Sequence, residues 1–465
     1  MVVIGEASSG AMRRARWTAA LGLAIFFFGA MPPPAPALAN GPMPAPLPQA
    51  IPVDGQAFGA QLTAIDAQWQ LTFETPQGRR VAPGAGLVSW GDCRETAQRP
   101  IVLLADGGLL VARVPAVAKG DLACESRLFG RIALPLERVA GVLFALPADR
   151  LGRDLAIDRI ASATGPSDRL LLTNGDELKG SVLSLQDGKI RLRAAAGPGP
   201  SIREIEVRRV ASVIFNPMLT RRDTAPAGDS RRTTFQVVPA DRRTTFQVVS
   251  ADGRMTFQVV PRADNRLRAW VGFTDGSRLL ARVLVLDEKS LAVTSVSGFT
   301  WKASPKDVVA LQPLGGQATY LSDLKAAKYE PTPFLTLKWP YHSDRSVSGG
   351  LLRAGGRLYL KGLGVHSAAR LTYALDAPDA VNEPYRRFQA ELAIDDETGG
   401  RGSVVFRVLV DDQLRFASPI VRGGQAPLPV SVDVTGAKRL DLIVEFADRA
   451  DELDHADWLN ARLVR

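Results

Sequence analysis

Apolar and polar residues alternate with a period of two through much of this chain. Phe388, Ala390, Leu392 and Ile394 alternate with Arg387, Gln389 and Glu391. The runs 370–375, 403–410 and 439–446 repeat the pattern. Period-two segments at this density predict an antiparallel β-sandwich over 317–465. Pro331, Pro333 and Pro340 keep its first part extended.

Three upstream segments, 99–147, 168–217 and 266–314, resemble one another. Each opens on a short apolar strand followed by a glycine turn: Asp106-Gly107-Gly108, Asn174-Gly175-Asp176 and Asp275-Gly276-Ser277. Asn-Gly and Asp-Gly supply the positive φ angles that tight hairpins need. In the second copy Leu178, Gly180 and Val182 alternate with Lys179 and Ser181. The phase then slips, so that Leu183 and Leu185 flank Ser184, which predicts a β-bulge. Each copy closes on an apolar run: Val139 to Val142, Val210 to Val213, and Val308 to Leu311. About five short strands in about fifty residues predict a small barrel or curled sheet, marginal alone and packed on its neighbours. The expected fold class is therefore all-β: a C-terminal sandwich preceded by three small, related, barrel-like antiparallel units.

The expected boundaries follow. Residues 1–39 read as a signal peptide, 40–86 as a Pro/Ala-rich spacer with a short β segment, and 87–150 as the first β repeat. Residues 165–220 are the second repeat, 221–264 a tandem-repeat insertion, 265–316 the third repeat and 317–465 the sandwich. The insertion repeats Thr-Phe-Gln-Val-Val three times, at 234–238, 245–249 and, with Met255 before it, 256–260. This sequence has strong β propensity. It is read as a flexible loop with latent strand character; pairing between exposed strands, and so self-association, is the alternative.

Arg13, Arg14 and Arg16 precede an apolar stretch, 19–28, and a small-residue site, Ala37-Leu38-Ala39. That order predicts a secretory signal, too short for an ordinary membrane span. The expected location is secreted, periplasmic or cell-surface. The formal charge of +9 comes from scattered arginines with no dense basic run. It implies a solvated surface rather than a nucleic-acid partner. The two cysteines, Cys93 and Cys124, either pair in an oxidising compartment or stay as free thiols.

Two of the three histidines fall in the sharpest motifs of the sandwich. One is Lys361-Gly-Leu-Gly-Val-His-Ser367; the other is Asp454-His-Ala-Asp-Trp458. Together with Ile394-Asp395-Asp396 and Val405-Phe-Arg-Val408 followed by Asp411, their order and spacing resemble the NPCBM family, the novel putative carbohydrate-binding module. The resemblance covers about 319–465. It implies a galactose-binding-like jelly roll, appended in that family to glycoside hydrolases, that binds galactose-type glycans.

Sugar sites need a flat aromatic face and hydrogen-bonding groups for hydroxyls, and His366, Asp454, His455, Asp457 and Trp458 are the right types. Trp339 and Tyr341 are secondary aromatic candidates. The competing reading is structural: buried His and Asp groups satisfy each other, and Trp458 belongs to the core. The carboxylates of Asp395-Asp396-Glu397, Asp411-Asp412 and 448–457 offer ligands for a structural calcium, although no loop carries a calcium consensus. No nucleophile elbow, phosphate loop or metal-binding His pair is present, and no segment is sized for a hydrolase. The reading is a non-catalytic carbohydrate-binding protein; a structural or assembly protein of the cell envelope, whose sandwich binds a protein, is the alternative.

Overall fold

The computed structural model describes residues 47–96, 100–194, 201–220, 246–251, 254–259, 267–375 and 384–465. The signal-peptide expectation and most of the tandem insertion lie outside these residues. Within the insertion, Phe246–Ala251 and Arg254–Val259 pair as an antiparallel hairpin that joins no other sheet among the described residues.

In 168–214 the glycine turn does what its residues demand. Gly175 sits at φ 92°, and the Asp176 N–H donates to Asn174 Oδ1. Glu177–Gln186 follows, and its register shifts between Val182 and Ser184, where the alternation slips. Asp187 and Gly188 both take positive φ, the requirement of a tight two-residue turn. Lys189–Ala194 and Ile202–Glu206 come next, then a 3-10 turn, Val207–Arg209. Val210–Ile214 returns to pair with Asp168–Leu172 and closes the unit. Residues 101–143 and 268–314 repeat this order, 3-10 turn included.

So does a fourth segment, 49–91. Strands occupy most of the stretch expected to be spacer, and Leu87–Gly91 pairs with Gln49–Pro52 instead of opening the next repeat. The four units join in pairs through their last strands. Gly141 pairs with Ile214, and Gly91 with Ala310. A Cβ on Gly141 would lie 2.3 Å from the Val213 carbonyl oxygen and 2.7 Å from Ile160, so only glycine permits this approach. One apolar core runs through the array, from Leu71 and Phe73 to Leu192 and Trp301.

The cysteines do not pair. Cys124 is buried in the core of its unit, whereas Cys93 bridges to Leu358 and faces Gly272. Burial pushes their thiols up to about 12 and about 11 respectively. Helix α1, Arg150–Ala161, lies between the second and third units and is capped by Asp149, whose carboxylate accepts from the Gly152 N–H at 2.6 Å. No helix among the described residues is long and apolar enough to cross a membrane.

The C-terminal part is the expected two-layer antiparallel sandwich. One sheet runs His342–Ser343, Gly362–His366, His455–Val464, Arg387–Ile394, Leu428–Asp433. The other runs Lys328–Pro331, Ala369–Ala374, Arg439–Phe446, Ser403–Val410, Gln413–Ala417. Phe388, Leu392, Phe406, Leu442 and Trp458 fill the space between.

Candidate functional site

His366 and His455 end and begin neighbouring strands and are direct register partners. Gly364 lets the first of these strands pass under the turn before it: a Cβ there would lie 2.3 Å from the Arg345 carbonyl oxygen. The two imidazoles are 5.7 Å apart, centroid to centroid. Trp339 stacks on His366 at 5.0 Å and 10°, and lies 6.2 Å from His455. Its segment is fixed by the Tyr329 hydroxyl, which donates to the Trp339 carbonyl oxygen at 2.6 Å. Tyr341 packs on Tyr329 at 5.0 Å and so supports this segment.

Each imidazole has its Nδ1 engaged. That of His366 faces the Ser367 carbonyl oxygen at 2.8 Å, and that of His455 faces Glu397 Oε1 at 2.7 Å. Both partners only accept, so each Nδ1 carries the proton. The Nε2 atoms make no hydrogen bond with a described residue, and neither is sealed from solvent. Burial, then the neighbouring His455, holds His366 below the ordinary imidazole pKa, against the Ser367 carbonyl and the Asp451 charge. Its Nε2 is therefore a bare acceptor. Glu397 also accepts from Ser348 and, at 3.3 Å, from Ser346. Burial raises its pKa, but these bonds and His455 outweigh that and lower it overall.

The pleat separates the other sequence candidates from this cluster. Ala456 and Trp458 point into the core, and His455 and Asp457 to the opposite face. Trp458 is 0% exposed, edge-on to Phe406 at 4.9 Å, and cannot serve as a platform. Trp339, half-buried, is the aromatic that lies beside both histidines. Asp454 is enclosed too; it accepts from Ser367 Oγ at 2.5 Å and the Ser403 N–H at 2.8 Å, tying two loops together. Burial raises its carboxyl to about 6.

Asp457 is fully buried, with no N–H or O–H donor among the described residues. Its polar neighbour is the Asp395 carboxyl. Burial first, then the Asp395 charge, pushes Asp457 well above the carboxylate range, which favours its protonated form beside Asp395.

The calcium expectation fares differently. Among the described residues no three His, Cys, Asp or Glu side chains are grouped to hold a metal. Asp396 instead accepts from the Gly355 and Gly356 N–H groups, and Asp411 from those of Lys438 and Arg439. Glu397, with Ser346 and Ser348, is the part of this cluster that sequence reading did not place there. Its one signal was the Asp395-Asp396-Glu397 run, which reads equally as a turn.

Residues 317–464 match the family model of the NPCBM/NEW2 domain. The NPCBM segment is 36% identical over 119 residues to an alpha-1,3-galactosidase B of Akkermansia muciniphila, 25% of this chain and 14% of the relative. A Renibacterium salmoninarum relative, named for endo-alpha-N-acetylgalactosaminidase activity, is 34% identical over 116 residues, 25% of this chain and 7% of the relative. The chain thus spans a small part of these glycoside hydrolases, and the shared part is the module. Among solved structures, a CBM51 module of Clostridium perfringens GH95 in complex with methyl-galactose is 25% identical, with a TM-score of 0.28. It covers 32% of this chain and 99% of its own.

Proposed function

We propose that this chain is an exported, non-catalytic protein that binds a neutral, galactose-type glycan through Trp339, His366 and His455. The carrying observation is the pair of imidazoles locked through Nδ1 beside a stacked tryptophan. Two fixed Nε2 atoms suit two hydroxyls of one ring, and an indole face suits the apolar C–H side of a sugar. Glu397 on His455 and the charge of Asp451 near His366 make the site electronegative, which disfavours an anionic sugar. The names of the two relatives, which act on galactose-type residues, support the same class.

A binding role fits the site better than hydrolysis. Glu397 is committed to His455 and two serines, and Asp454 to Ser367 and Ser403. Neither is left as a free acid or nucleophile across a cleft. The test is a glycan array followed by titration calorimetry with galactose. Binding abolished in His366→Ala, with folding retained, is the expected result. An array without galactose-type hits, together with large assemblies on a sizing column, would favour the envelope-scaffold reading instead.

A further inference from the structure

The histidine–tryptophan site stands on the edge of a continuous polar relay that begins outside the module. On α1, Asp154 is 5% exposed. Its carboxylate accepts from the Leu351 N–H at 2.9 Å and from both Arg353 terminal nitrogens, at 2.6 and 3.2 Å. The Arg353 Nε donates to Glu95 at 2.7 Å. The Arg353 backbone N–H donates to Asp395 Oδ2 at 3.0 Å, and the other Asp395 oxygen accepts the Glu397 N–H at 2.8 Å. Glu397 then holds the His455 ring.

The same segment is pinned at further points. Gly350 lies against Leu151 and Asp154, where a Cβ would come within 3.2 and 3.5 Å. Gly355 and Gly356 are bound to Asp396, and Ser346 and Ser348 to Glu397. Residues 346–356 are thus clamped between α1 on one side and the Asp396–Thr398 turn on the other.

We infer that Asp154, from the upstream β units, is a positioning residue for the glycan site: through Arg353, Asp395 and Glu397 it fixes the orientation of His455. The upstream units are then part of the site's foundation, and the module borrows rigidity from them. The inference rests on the proposed glycan role of His455, and the coupling itself is readable without any sugar.

The experiment compares the full chain with Asp154→Asn, Glu95→Gln and Asp54→Asn. The last variant breaks another contact with the module, Asp54 to Arg387, that has no link to Glu397. Imidazole nitrogen shifts of His455 report the tautomer in the free protein; calorimetry reports galactose affinity; melting reports stability. In Asp154→Asn the expected result is a shift from the Nδ1–H tautomer toward the Nε2–H form. Galactose binding weakens at least about tenfold, whereas Asp54→Asn changes neither. If Asp154→Asn fails to fold, Glu95→Gln, on a more exposed partner, carries the test with an expected weakening of about threefold. An unchanged His455 spectrum in both relay variants, or changes no larger than in Asp54→Asn, overturns the inference. A wild type that binds no galactose but whose His455 responds to Asp154→Asn upholds the coupling and removes the sugar reading instead.

Discussion

Replacing Asp457 by asparagine should make the sandwich more stable as the pH rises. In the native state Asp457 keeps its proton, because burial and the adjoining Asp395 raise its pKa well above 3.8. In the unfolded chain it is ionised above about pH 4. Folding near neutral pH must therefore take a proton from solution. The native state binds more protons than the unfolded one, so stability falls with rising pH, by about 1.4 kcal/mol per pH unit for one proton. Asp395, raised to about 6 chiefly by burial, adds the same sign of dependence from about 3.8 to about 6 and then stops. Above about pH 6 the slope specific to this pair is that of Asp457 alone, for as long as it keeps its proton.

An asparagine keeps the volume and donates an N–H to Asp395 without titrating. The stability difference between Asp457→Asn and wild type should therefore move in the variant's favour as the pH rises from about 6 to about 8. Groups common to both proteins cancel. The assay is hydrogen exchange of peptides from His455–Val464 in increasing urea, at about pH 6 and about pH 8, corrected for intrinsic rates. A difference independent of pH would show that Asp457 is ionised in the native state and would refute the shared proton.

Three further outcomes are expected. Trp339→Ala should weaken galactose binding at least about tenfold with little change in melting, whereas Trp458→Ala should destabilise the sandwich by about 3–5 kcal/mol; calorimetry and urea denaturation separate the two. Gly364→Ala forces a Cβ into the Arg345–Ser346 backbone and should cost at least about 2 kcal/mol, seen in the same denaturation. Cys93 and Cys124 should react slowly with a thiol reagent in the native protein and give two thiols after unfolding, since burial raises both; one disulfide and no thiols would contradict their separation.

Much of the β architecture was legible because its signals are local. The phase slip at Val182-Leu183-Ser184 became a register shift, and Asn174-Gly175 became a tight turn. The unit at 49–91 was overlooked although it carries the same cue, Asp54-Gly55, with Gly55 at φ 94°. Its second hairpin uses no glycine: Asp66 accepts the Gln68 and Gln70 N–H groups, and Trp69 takes the positive φ. At the site, sequence located both histidines but not the face each neighbour takes. Within Asp454 to Trp458 only His455 reaches the cluster, because pleating sends Trp458 to the core and Asp454 and Asp457 are fully enclosed. Trp339 and Glu397 are far away in sequence, and only the closed sandwich brings them to the histidines.

Helix α1 escaped sequence reading for a related reason, and that reason joins the two halves of the molecule. Its apolar residues do not form a clean stripe, because it serves two neighbours of opposite character. Ile160 and Ala156 pack against Ala140, Leu143 and Ile214, where the last strands of two β units meet. Asp154 and Asp158 face the module instead, binding Arg353 and Arg345. The contact at Gly141 brings Ile160 down onto the strand junction. The pairing of the two barrels thereby sets the height and tilt of the helix. That in turn sets where Asp154 meets Arg353. A larger residue at Gly141 would lift the helix and move the far end of the relay, although it lies in another layer of the protein from His455.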